Sequence, residues 1–300
     1  MSALRAHYPA GVERRAMPRP ANDPYAEVVV GGLKTACISR EHMASLMVED
    51  CFAARREHAA PKLIFASNGH AIALAAMDGK FHALFAQADM IHADGQPVVL
   101  AARLMTRTPI PGRSATTDFI HDAAKAAAAW GLKIFLLGAT EEVNAHCADI
   151  LRFRNPDLKI AGRRNGYFGR DEEAAICDEI NRSGADIVFV GLGVPLEYEF
   201  CVRNKERLRA GWVVTCGGCY NYVTGDYSRA PDWMQKYSLE WLYRLAREPR
   251  RLFWRYAVTN PLALFQILTQ SRSLHAESAP PELPAAPEQA PVAVAMRLVG

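Results

Sequence analysis

No run of about 18 uninterrupted apolar residues, the length of a membrane-spanning helix, occurs in the chain. The N-terminus also lacks the short apolar core of a secretory signal peptide, so folding in the cytoplasm is expected. Neither G-x-G-x-x-G nor G-x-x-x-x-G-K-[ST] is present, so dinucleotide and P-loop binding lack their fingerprints. No Asp-x-Asp occurs, which argues against a divalent-cation clamp built from paired aspartates. The seven cysteines are odd in number and scattered through apolar segments, as suits reduced thiols. Cys216 and Cys219 form one CxxC without a second Cys or His pair at metal spacing. Packing around Gly217 and Gly218 is therefore preferred to zinc or redox chemistry; no metal and no cofactor is expected.

Half of the 300 residues are apolar, ample for a core. Residues 1–24 and the Pro/Ala/Glu tract at the C-terminus, residues 272–300, lack apolar periodicity and read as disordered tails. From 25 to 229, strand-like apolar runs alternate with amphipathic or Ala-rich helices. Examples are "KLIFASN", "LKIFLLG", "ADIVFVGLG" and "WVVTCGG" between helices such as "TEEVNAHCADILRFRN", for which Thr140 is an N-cap candidate. This alternation predicts an α/β fold, Rossmann-like, with a largely parallel sheet and flanking helices. Residues 230–271 change texture to aromatics and arginine, and predict two or three appended helices broken at Pro249 and Pro261.

Ligands of open α/β sheets collect beyond the carboxyl ends of the strands. Four predicted strand ends are polar or glycine-rich: Ser67-Asn68-Gly69, Asp94-Gly95, Gly138-Ala139-Thr140 and Gly191-Leu192-Gly193. They suit a nucleotide or phosphate ligand, although glycine is also ordinary turn chemistry. Asp94, in "MIHADGQPVV", has the setting of a general base, and equally that of an N-cap for the helix starting near Pro97. The local rules leave both open. His92 reads as a packing histidine. Arg113, in "PIPGRSATTD", stands in a polar loop with Thr116, Thr117 and Asp118, and its planar fork suits a diphosphate. Asp118 is equally well a helix N-cap.

Between Arg229 and Thr259 there are seven Lys or Arg against three acids, a local excess of four that exceeds the +3 of the whole chain. Arg247, Arg251 and Arg255 recur every fourth residue among Trp233, Tyr237, Trp241, Tyr243, Phe253, Trp254 and Tyr256. Such a segment fits a membrane interface with anionic head groups, or a solvated basic face over an aromatic core. Nucleic acid is not expected as a partner, because the chain overall is only mildly basic.

The segments "NGHAIALAAMDGKFHALFAQADMIHADGQPVVLAARLM", "GRSATTD", "LKIFLLGAT", "DEINRSGADIVFVGLGVP" and "RAPDWMQKYSLEWLYRLAREPRRLFWRYAVTNP" resemble, in order and spacing, the WecG/TagA/CpsF glycosyltransferases, family 26. The resemblance covers about 27–270. It implies an inverting, metal-independent transfer of a sugar from a UDP-sugar donor to a polyprenyl-diphosphate-linked saccharide, in exopolysaccharide, capsule or teichoic-acid-type synthesis. The protein would sit on the inner face of the cell membrane, with 25–229 as its catalytic domain. By the resemblance Asp94 is the general base, Arg113 holds the donor diphosphate, and Asn68 lies in the pocket. Arg244, Arg247, Arg250, Arg251 and Arg255 would close over the site and meet the lipid acceptor. Substrate binding is further expected of Gly95, Thr117, Asp118, Gly138, Gly191, Gly193, Pro195 and Glu197. Self-association into a homo-oligomer is left open.

Several positions depart from the family pattern. "TPN" reads Ala66-Ser67-Asn68, "GxPKQE" reads Gly193-Val194-Pro195-Leu196-Glu197-Tyr198, and the Asp of "FDF" is Asn221. These changes bear on which sugar is read. Loss of activity, leaving a nucleotide-sugar-binding or scaffold protein, is the alternative.

Overall fold

The computed structural model describes residues 25–274. The expected N-terminal tail, and the expected C-terminal tail from 275 onward, lie outside the described residues. The chain opens with a hairpin, β1 (Glu27–Val30) and β2 (Leu33–Ala36). Its turn, Gly31-Gly32, takes φ of +58° and +87°, which glycine tolerates and other residues resist. Helix α1 (Arg40–Glu57) follows, capped by the Ser39 hydroxyl, which accepts the His42 N–H. Next come β3 (Lys62–Ser67), α2 (Gly69–Met77), α3 (Gly79–Phe85), β4 (Met90–Ala93), α4 (Gln96–Met105) and α5 (Thr116–Trp130). The body is completed by β5 (Lys133–Gly138), α6 (Glu141–Arg154), β6 (Lys159–Arg164), α7 (Glu173–Ser183), β7 (Ile187–Gly191), α8 (Leu196–Asn204), β8 (Trp212–Thr215) and α9 (Cys219–Thr224). Three further helices, α10 (Asp232–Lys236), α11 (Glu240–Arg247) and α12 (Pro249–Thr269), precede β9 (Arg272–Ser273).

Six strands form a parallel sheet in the order β4-β3-β8-β7-β5-β6, so the fold is α/β with helices on both faces. Period-2 alternation divides the strand residues between two cores. Leu63, Phe65, Phe135, Leu137, Val188, Val190 and Val213 face α2, α3, α4, α7 and α8. Ile64, Ile134, Leu136, Ile187, Phe189, Trp212 and Val214 face α1, α5, α6 and α9. Burial on both faces explains why these strands read as continuous apolar runs. The hairpin carries β9 antiparallel to β1, so the first two residues of the expected C-terminal tail are strand.

Connections from the adjacent strands β5 and β7 lead to opposite faces, α6 on one and α8 on the other. This is the reversal at which a crevice opens beyond the carboxyl edge of such a sheet. Its floor is tight: a Cβ on Gly138, whose φ is +136°, would overlap the Gly191 carbonyl. Thr140 caps α6 as expected, accepting the Val143 N–H at 3.3 Å.

Helix α12 lays Leu252, Tyr256, Thr259, Ala263 and Ile267, spaced by three and four residues, against the body, chiefly on α2. Pro249 begins this helix, the position at which proline is best tolerated. Pro261 does not break it, contrary to expectation. It lies on the solvent side, where the Ala257 carbonyl left without its donor is open to water.

Candidate active site

Asp94 follows β4 at the carboxyl edge. Its N–H and that of Gly95 both donate to the Ser67 carbonyl, at 2.9 and 3.1 Å, extending the β3/β4 pairing by one step. The side chain thereby turns toward β3 and α5. Oδ1 accepts the Thr116 N–H at 2.9 Å, at the start of α5, and Oδ2 accepts Nδ2 of Asn68 at 3.2 Å. Asp94 does not cap α4, as local rules allowed. The N-cap of α4 is Gly95, without a side-chain bond, and Pro97 has no N–H for a cap to receive. Burial pushes the Asp94 carboxyl up, but the Arg113 guanidinium, the His92 ring, the Thr116 N–H and the Asn68 amide outweigh it and hold the acid below its usual value of 3.8. The group is an ionised carboxylate at neutral pH, with a lone pair left on each oxygen.

Asn68 serves two purposes, since its Oδ1 also caps α2 by accepting the Ala71 N–H at 3.1 Å. Gly95 is packed so closely on it that a Cβ there would lie 3.1 Å from the Asn68 Cβ. His92 is fully buried, as a packing histidine should be. The Ser114 hydroxyl donates to the Ala93 carbonyl at 3.2 Å, so the neighbouring His92 Nδ1, at 3.2 Å, carries the proton and donates to Ser114. The loop bearing Arg113 is tied to β4 by this pair.

Glu197 lies across β7 and β8. Its Oε2 accepts the N–H groups of Gly193 at 3.2 Å and Gly217 at 2.8 Å, which stitches the two strand-end loops together. It is buried beside Asp94, and burial raises its acid to about 8, against the pull of the backbone bonds. Two neighbouring carboxyls are thus set apart, one ionised and one protonated at neutral pH. Pro195 provides the N-terminal boundary of α8 after a cis peptide bond from Val194. Thr117 stands in the first turn of α5. Asp118 does too, and is not its N-cap, since the helix starts earlier at Thr116. Its carboxylate is engaged by Arg229 and, at 3.3 Å, by Arg40. Cys216 and Cys219 are buried free thiols, both pushed well up by burial. Among the described residues no group of three or more His, Cys, Asp or Glu is placed to hold a metal ion.

Arg113 donates Nε to the main-chain oxygen of Asp94 at 2.7 Å, and Nη1 to Oε2 of Glu240, the first residue of α11, at 2.8 Å. The appended helices are therefore linked to Asp94 through Arg113. Arg244 stacks over Tyr222 at 5.8 Å, and Arg255 over Tyr256 at 5.0 Å. Both press on His70, the second residue of α2; burial first, then these two charges, push its imidazole down to about 4. Arg247 meets the Ser228 hydroxyl at 3.3 Å in a cleft of about 230 Å³ between α11 and the segment after α9. Tyr222, Tyr227 and Tyr243 line this cleft with Arg244 and Asp226. Of the five expected arginines, Arg244, Arg247 and Arg255 gather around the site. Arg251 is paired at 2.5 Å with Glu248, which itself lines the cleft, and Arg250 is exposed.

A family model described as "Glycosyl transferase WecG/TagA/CpsF family" matches residues 28–277. The chain belongs to this family. Among similar proteins is the N-acetylglucosaminyldiphosphoundecaprenol N-acetyl-beta-D-mannosaminyltransferase of Bacillus spizizenii (strain W23), 30% identical over 194 residues, 65% of this chain and 74% of that one. The protein of the same name from Bacillus subtilis (strain 168) is 29% identical over 203 residues, 67% of this chain and 77% of that one. The WecG/TagA/CpsF resemblance read from the sequence is thereby borne out, and the chain is a glycosyltransferase. Four groups of this candidate site escaped sequence reasoning: Glu240, His70, Tyr222 and the Thr116 N–H. Glu240 alone carried a signal, as an acid placed just before the arginines of a basic segment.

Proposed function

We propose that this glycosyltransferase moves a sugar from a UDP-sugar to a polyprenyl-diphosphate-linked saccharide, with inversion and without a metal. The observation that carries the reading is Asp94: an ionised carboxylate, fixed through both oxygens, at the carboxyl edge where this sheet admits a ligand. The acceptor hydroxyl oxygen attacks the anomeric carbon and its proton passes to Asp94. The bond to UDP breaks on the opposite face, and the electron pair leaves with the diphosphate. The mannosaminyl relatives are named for β-linked products, and an α-linked nucleotide sugar reaches such a product by one displacement. Arg113, held against the main chain of Asp94, meets the charge developing on UDP. Arg244 and Arg255 carry the acceptor diphosphate. The tyrosine-lined cleft, which offers aromatic faces beside arginine and aspartate, takes acceptor sugar rings.

The departures in "GVPLEYE" leave this frame intact. Glu197 joins β7 to β8 through Oε2, and Tyr198 is packed among Phe65, Phe81 and Phe85. This supports an active enzyme over a scaffold that has lost transfer. UDP-N-acetylmannosamine is the first donor to try, on the relatives' names.

No helix among the described residues is long and apolar enough to cross a membrane. We place the enzyme on the inner membrane face through α12, whose outward side presents Phe253, Trp254, Val258, Leu264, Phe265 and Leu268, with α11 beside it. The decisive experiment is Asp94→Asn, assayed with a short-chain polyprenyl-diphospho-N-acetylglucosamine acceptor. We expect it to fold, to bind UDP like the native enzyme, and to lose about 10²- to 10⁴-fold in kcat, the span of general-base catalysis. Transfer within tenfold of native removes Asp94 from the role. A chelator should leave native turnover unchanged.

A further inference from the structure

Glu240 opens α11, and nothing in the chemistry above employs it. Its carboxylate and the Arg113 guanidinium are only 22% and 18% exposed, and they meet at 2.8 Å. The same guanidinium is bound through Nε to the main chain of Asp94 at 2.7 Å. Nε and Nη1 are thus both anchored, one on the residue of the base and one on the appended helices. A planar guanidinium held at these two nitrogens has a single orientation, and its Nη2 edge is what remains to present to a ligand. With Glu240 removed, one bond would tether Arg113, and the long side chain would recover rotameric freedom that a ligand must then quench.

The segment that delivers Glu240 is itself tightly specified. Ser238, two residues earlier, takes φ of +62°, a left-handed conformation that a serine holds only where its surroundings enforce it. The Glu240 charge faces Arg229 and Tyr222 as well as Arg113, so it stands inside the junction of body and appendage.

We infer that Glu240 is a positioning residue: acting through Arg113, it orients the edge that meets the donor diphosphate, so that the docking of α11 completes the site. This rests on the reading of Arg113 as a diphosphate ligand. A carboxylate in the first turn of α11 also favours that helix through its dipole, a purely structural role that a test has to separate.

The test is a double-mutant cycle on the full chain, with calorimetric UDP affinity as the readout. Arg113→Gln should weaken UDP binding strongly. Glu240→Ala should weaken it about fivefold, at the low end of measured site couplings. Glu240→Gln, whose amide oxygen accepts the same N–H, should bind UDP within about twofold of native, since a neutral acceptor keeps most of the anchoring. Glu240→Ala added to Arg113→Gln should cause no further loss. A role confined to α11 would lower the unfolding temperature without UDP and give the same loss in both backgrounds. Losses that multiply overturn the inference, as does UDP binding by Glu240→Ala that equals or exceeds native. If Arg113→Gln binds UDP like native, the reading of Arg113 falls first and this inference with it, a failure visible before Glu240 is altered.

Discussion

Glu197 is the residue with the plainest pH signature. It is met by two backbone N–H groups, by the Asp94 charge, and by the Tyr198, Cys201 and Cys216 side chains. Its acid, raised to about 8 in the fold from an ordinary 4.5, is the reverse of a salt-bridged carboxyl. The stability it contributes is complete below 4.5 and is lost as pH rises from 4.5 toward 8, because over that window the unfolded chain releases a proton that the folded one retains. Glu197→Gln keeps an oxygen for the Gly193 and Gly217 N–H groups and has no proton to lose. Between pH 6.5 and pH 8, above the window in which the depressed His70 adds its own slope, thermal unfolding of that variant should decline less than that of the native protein; parallel declines would contradict the assignment. Asp94 has the opposite sign, being held below 3.8, so it should sustain turnover down through the ordinary carboxylate range. At this scale the sequence was only partly legible. Asp94 stood out because a charge interrupted a buried run, but its partner helix was misread, since Pro97 and the Ser67 carbonyl turn the side chain away from α4 and onto Thr116.

Helix α12 has two faces with different work. One packs Leu252, Tyr256, Ala263 and Ile267 into the body, and the other exposes Trp254 at 74%, Phe265 at 60% and Leu268 at 61%. Burying such side chains in a membrane interface is worth about 1.5–3 kcal/mol each. Replacing Trp254 and Phe265 together by Glu should therefore reduce binding to anionic vesicles by about 100-fold or more, with the unfolding temperature nearly unchanged. Co-sedimentation at equal levels for the variant and native proteins would remove α12 from membrane attachment. The helical texture and its basic aromatic character were readable from residue types at three- and four-residue spacing. Which aromatics turn outward was not, because Tyr256 and Trp254 differ in burial only through where α2 lies.

As a whole, the molecule gathers the ends of β3, β4, β5, β7 and β8 into one edge and sets α11 and α12 beside it. A ligand that bridges these parts stabilises the native state alone. A donor present at 100 times its Kd should therefore add about 2.7 kcal/mol to unfolding free energy. A thermal-shift panel of UDP-glucose, UDP-galactose, UDP-glucuronate and UDP-N-acetylmannosamine should show one leading donor, and a panel with no shift would speak against a UDP-sugar. Sequence alone determined the α/β class and the family, and it singled out Asp94 and Arg113. Apolar periodicity, strand-end glycines and a carboxylate that ends an apolar run are properties of short segments, and short segments fix their own backbone. Tertiary structure alone decided that Asp94 binds α5 rather than α4, that Glu197 is left neutral, and that Glu240 grips Arg113 across 127 positions of chain. Each of these depends on the proximity of residues far apart in sequence and on the water they exclude, and local residue order encodes neither.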